Sequence, residues 1–77
     1  MKKTFNIGES TLGGILECEL INDKFTVHCI DSITKEPVES GIFTIPKDLA
    51  DLDVWLSCDV TTSYHADEIL KHFKLLI

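Results

Sequence analysis

The chain has 77 residues, 44% hydrophobic and 26% charged, with 13 acidic against 7 basic side chains and a formal charge of −6. A chain this short has room for one domain and buries only about 60% of the surface its unfolded form exposes, while its balance of apolar and charged residues excludes a chain that stays disordered. The negative charge argues against direct binding to a phosphate backbone, and no apolar run approaches the roughly 18 residues of a membrane span.

Met1-Lys2-Lys3 leads into Thr4-Phe5-Asn6 rather than the apolar stretch of a signal peptide. Three cysteines cannot all pair within one chain, so reduced thiols and a cytoplasmic setting are expected. A basic protein is the partner that the charge suggests, although net negative charge on a small domain also serves solubility alone.

Residues Lys3 to Ile7 read as a short first strand, and Gly8 to Gly14 as a glycine-punctuated connection. Gly8 and Gly13 have the gap of a phosphate loop. However, Gly14 stands where that motif requires lysine, and a strand follows instead of a helix whose amides would receive phosphate.

Ile15 to Ile21 and Lys24 to Ile30 flank Asn22-Asp23, two residues that tolerate the left-handed backbone of a tight hairpin turn. With those two as the turn, Leu20 falls opposite Phe25, Cys18 opposite Val27 and Leu16 opposite Cys29, an entirely apolar face. The other face pairs Glu19 with Thr26, Glu17 with His28 and Ile15 with Ile30. Alternation on both strands agrees with this one register, and a slip by one residue would drive Glu17 and Glu19 into the core.

A further strand is predicted over Gly41 to Ile45, reached through Pro37, which cannot donate to a ladder and favours a turn or an edge. Its register is open. With Phe43 and Ile45 inward near Cys29 and Val27, Ile42 lands outside with Ile15 and Ile30.

After Pro46 two periodicities compete. Leu52, Val54, Leu56, Cys58 and Val60 alternate as a strand would, while Leu49, Leu52 and Leu56 recur at helical spacing. Pro46 suits a helix start and Asp48 lies in the first turn, so Lys47 to Ser57 is read as helix, with a strand through Leu52 to Val60 as the rival. The last segment is an amphipathic helix. Ala66, Ile69, Leu70, Phe73 and Ile77 recur at three- and four-residue intervals, Asp67, Lys71 and Lys74 fall opposite, and Ser63 is the expected cap. The expected fold is therefore a single α+β domain over 1–77: an antiparallel sheet of three to four strands followed by one or two C-terminal helices packed on one face.

Residues suited to chemistry are few. Cys18 and Cys29 are diagonal neighbours inside the predicted hairpin, too far apart for a comfortable disulfide, and Cys58 is expected to be more exposed. His65, Glu68 and His72 share a side of the last helix, but two histidines seven apart do not match the zincin spacing, and surface pairing explains them as well. No spacing announces a nucleophile with its base, and no cofactor is implied. The expectation is a non-enzymatic domain, with a small enzyme whose site lies at a subunit interface as an alternative.

The feature that points to function is the second face of the sheet. It would expose Ile15, Ile30 and Ile42 together with Glu17, Glu19 and His28, an apolar centre with an acidic margin. Two uses are expected for it: an interaction domain of inhibitor, immunity or accessory type against a basic partner, or a self-associating homodimer without a foreign partner. Lys3 to Ile7 or the Trp55 ring folding over that face would remove it.

Overall fold

Alternation of apolar side chains decides which strands pair and which way they face. In the computed structural model, which describes residues 1–8 and 12–75, four strands form one antiparallel sheet in chain order among the described residues: β1 Lys2–Asn6, β2 Gly14–Ile21, β3 Lys24–Asp31 and β4 Pro37–Thr44. Residues 9–11, in the middle of the connection read above, and Ile77 of the final apolar stripe lie outside the described residues.

The β2–β3 register is the one that the sequence predicts: Leu16 opposite Cys29, Cys18 opposite Val27 and Leu20 opposite Phe25. Asn22 takes the left-handed conformation at φ 56° that lets two residues close the turn. β1 adds on the far side of β2 with Phe5 opposite Leu16, so Phe5 joins the same inward face. β4 pairs with β3, and here the register differs from expectation. Phe43 lies opposite Phe25 and Gly41 opposite Val27, with an irregularity between Cys29 and Ile30 before Pro37. The strand also begins four residues earlier than predicted, because Pro37 opens an edge strand, a place where its missing N–H leaves no partner unmet.

Two helical segments follow. α1 spans Leu49–Trp55 and runs directly into one π-helical turn, Leu56–Val60. The rival strand over Leu52 to Val60 is thus excluded, and the helix begins two residues later than the sequence suggests. Its start is delayed by a reciprocal pair of bonds: the Thr44 amide donates to Asp48 Oδ2 at 3.0 Å, and the Asp48 amide donates to the Thr44 carbonyl at 2.7 Å. In the π turn the Thr61 amide reaches back five residues to the Leu56 carbonyl, and Ser57 Oγ donates to the Asp53 carbonyl at 2.8 Å.

α2, Ser63–His72, is capped one residue earlier than expected. Thr62 has extended backbone angles and its hydroxyl accepts from the His65 amide. The helix ends in a Schellman arrangement: Leu75 donates to the Leu70 carbonyl and Lys74 to the Lys71 carbonyl. The left-handed position of that motif, at φ 60°, is held by Lys74, where glycine is usual.

The core lies between the layers. Leu52, Leu56, Val60, Ala66, Ile69, Leu70 and Phe73 pack on Phe5, Leu16, Cys18, Phe25, Val27 and Cys29, and each fully buried leucine or isoleucine contributes roughly 1.5–3 kcal/mol by leaving water. Phe25 and Phe73 meet edge to face with centroids 4.9 Å apart. Trp55 leans on Phe43 at 5.4 Å, and Gly41 leaves the space that both rings use: a Cβ there would lie 2.8 Å from the Phe43 ring and 3.2 Å from the indole.

Two substitutions test these backbone assignments with opposite signs. Gly13 has φ 79°, and a Cβ would sit 2.7 Å from the Ile30 carbonyl oxygen; Gly13→Ala is expected to lower stability by about 1–3 kcal/mol. Lys74→Gly is expected to raise it by about 0.5–1 kcal/mol, since the left-handed strain disappears. Urea midpoints measure both, and a Gly13→Ala protein with an unchanged midpoint would contradict the close approach.

Candidate functional site

The pleat sends every second residue of each strand to the side away from the helices. On that outer side the pairing lays out cross-strand rows. One row holds Asn6, Ile15 and Ile30; the next holds Thr4, Glu17, His28 and Ser40; the third holds Lys2, Glu19, Thr26 and Ile42. All six residues singled out from the sequence, Ile15, Glu17, Glu19, His28, Ile30 and Ile42, therefore share one face. His28 and Ile42 are exposed, Ile42 at 68%, and Ile15, Glu17, Glu19 and Ile30 are half-buried.

Neither Lys3 to Ile7 nor Trp55, the two elements whose folding over this face would have removed it, covers it. β1 lies in the sheet as an edge strand, and Trp55 packs on the opposite side against Phe43. Both helices bury their apolar stripes against the inward side chains.

The arrangement within the face departs from the sequence expectation in two ways. Ile15 and Ile30 are direct neighbours, but Ile42 sits opposite Thr26, four residues along β3 from Ile30, or about 13 Å away at strand rise. The Glu17–His28 row separates them, so the three isoleucines do not form one centre. The acidic margin is also balanced. Lys2 stands opposite Glu19, and Lys24 lies at the end of the same face opposite Ile21. These basic residues and Thr26 were not singled out, although counting by twos outward from the Asn22-Asp23 turn places Thr26 and Lys24 on it.

The helical layer carries carboxylates as well. Asp51, Asp59, Asp67 and Glu68 are exposed on the helical layer, where Val54 and Tyr64 are also open to water. A histidine and a carboxylate come near each other on α2. His65 Nδ1 is screened from water, has no hydrogen-bond partner, and lies 3.9 Å from Glu68 Oε1. His72 does not join them, because its ring rests against Phe5 and Phe73. No group of three or more His, Cys, Asp or Glu among the described residues is placed to hold a metal ion.

Two hollows mark the helical side. A groove of about 390 Å³ is lined by Pro46, Leu49, Ala50, Leu70 and Leu75 with Lys47 and Asp53 beside them, and a smaller one of about 270 Å³ by Tyr64, Asp67, Glu68 and Lys71. No helix among the described residues is long and apolar enough to cross a membrane. Comparison with family models, curated proteins and solved structures finds no match to this chain.

The thiols divide as the hairpin implies. Cys18 and Cys29 are buried, Cys58 is exposed, and all three are free. Burial, with Cys29 adding to it, pushes the Cys18 thiol from 9.0 up to about 12. Burial, with the charge of Glu39 adding to it, pushes Cys29 up to about 11. Below pH 9.0 both thiols hold their protons in the folded and unfolded chain alike, and their contribution is complete. Above it the unfolded chain releases protons that the folded chain keeps, so stability falls until the folded groups ionise near 11 and 12.

Cys18→Ala should accordingly flatten the alkaline loss of stability by up to about 1.4 kcal/mol per pH unit, read as the difference between wild-type and variant urea midpoints from neutral pH upward. Equal slopes would mean that Cys18 is not held protonated. In native buffer Cys58 alone should label quickly, with the other two thiols following only on unfolding.

Proposed function

We propose that this chain is a non-catalytic protein-interaction domain, of inhibitor, immunity or accessory type, that binds through the outer face of its sheet. The observation that supports it most is the side of the four-stranded sheet that no helix among the described residues covers, where the half-buried Ile15 and Ile30 stand opposite each other across strands, bordered by the polar Glu17–His28 row. An apolar patch beside hydrogen-bonding groups is the usual anatomy of a protein interface. A reducing compartment such as the cytoplasm suits the three unpaired thiols.

A second reading keeps a strongly basic partner but moves it to the helices. It is favoured by Asp51, Asp59, Asp67 and Glu68 sharing the helical layer with Val54 and Tyr64, which are 60% and 71% exposed. On the sheet Lys2 stands directly opposite Glu19 and offsets its charge, as Lys71 beside Asp67 and Glu68 does on the helices.

Affinity capture from cells that naturally make the chain separates the two. Glu17→Lys with Ile30→Asp should reduce what is captured at least about tenfold, as removal of central contacts does, while Asp51→Lys with Asp59→Lys should leave it unchanged. Undiminished capture by a sheet-face variant that melts like the wild type would remove the outer face from consideration, and loss in the helical variant would transfer the site there.

A further inference from the structure

We propose that, until a partner displaces it, the outer face is held by a second copy of this chain, docked face to face about a two-fold axis that runs parallel to the strands between β2 and β3. This rests on the outer face being the recognition surface and says what covers it in the isolated chain. The rows make the case. Rotation about such an axis exchanges β2 with β3 and β1 with β4 while keeping each row at its own level. Ile15 of one copy then meets Ile30 of the other, Glu17 meets His28, and Glu19 meets Thr26, following the observed row partners.

These central contacts are compatible, and towards one end the same rotation sets Lys2 over Ile42 and Lys24 over Ile21. Two copies place four isoleucines in one apolar cluster, and beside it each imidazole offers an N–H to a carboxylate of the other copy, which it can do whether or not it carries a charge. The other in-plane axis, across the strands, keeps β2 over β2 and, with the strands overlapped along their full length, sets Glu17 against itself or against Glu19. Like charges facing each other in a desolvated interface are disfavoured by several kcal/mol, so the charge pattern selects one axis. Aligned packing of two twisted sheets is also the arrangement that sheet sandwiches adopt.

Area sets the strength. Eight-residue strands such as β2 and β3 span about 24 Å, and four strands about 19 Å, giving a footprint of roughly 450 Å² per copy. Two such footprints lie near the lower limit of specific interfaces, at about 1,000 Å² in total. The dimer is therefore a weak, exchanging one, seen only as concentration rises.

Sedimentation of the full chain from about 5 µM to about 1 mM tests this, a range suited to transient contacts. The weight-average mass should climb from one chain towards two. Glu17→Lys and His28→Glu should each weaken association at least about tenfold, and the double variant carrying both should restore it, because the introduced lysine of one copy then meets the introduced glutamate of the other. Melting of each variant checks the fold.

A wild type that stays monomeric throughout overturns the second copy as occupant, while the capture experiment still tests the face itself. A dimer indifferent to all three variants overturns the face as the contact. A double variant that stays monomeric yet melts like the wild type overturns this axis.

Discussion

The pairing of β2 with β3 across a two-residue turn is the constraint on which the rest of the molecule depends. Its register decides that Leu16, Cys18, Phe25, Val27 and Cys29 point to one side and Glu17, Glu19 and His28 to the other. Everything added later must respect that division. β1 extends the apolar side with Phe5, β4 extends it with Phe43, and the helices close over it with seven buried side chains. A period of two allows no partial compliance, because a one-residue slip inverts the whole set. The face left outside is consequently a by-product of the same register that builds the core.

The two edges of the sheet are protected differently. β1 is short and carries Lys2 and Lys3, whose charges resist pairing with another strand, while β4 starts at Pro37 and contains an irregularity opposite Cys29 and Ile30. Both are devices that discourage strands from adding in line. The outer face of the sheet carries charges of both signs, Lys2 and Lys24 with Glu17 and Glu19, so it is the two edges that are specifically guarded against strand addition.

Much of the fold was legible in the sequence, and the parts that were not share a physical reason. The hairpin was readable because two strands gave independent alternations that agreed on one turn. The β4 register was not, because Gly41 has no side chain to declare a face, and the apolar Ile42 and Phe43 on either side of the pleat look alike in sequence. α1 was obscured by a coincidence. Leu52, Leu56 and Val60 are buried while Val54 and Cys58 are exposed, so the apparent strand alternation is two four-residue stripes on opposite sides of one helical segment, interleaved. Ser63 and Thr62 both carry a hydroxyl, and only backbone angles choose the cap. On the outer face the residue types were readable from the hairpin, but the distance between Ile42 and Ile30 depended on the register that sequence left open.

The contact of Trp55 with Phe43 over Gly41 has a practical consequence. It is the chain's single tryptophan, and it leans on the last strand of the sheet rather than sitting in the middle of the core. Its emission therefore watches one seam, where β4 and α1 meet, and will respond to that strand peeling away before the hairpin behind it has opened. Set beside circular dichroism, which sees the whole backbone, the indole offers a built-in means of telling whether the molecule comes apart in one step or sheds its outermost strand first.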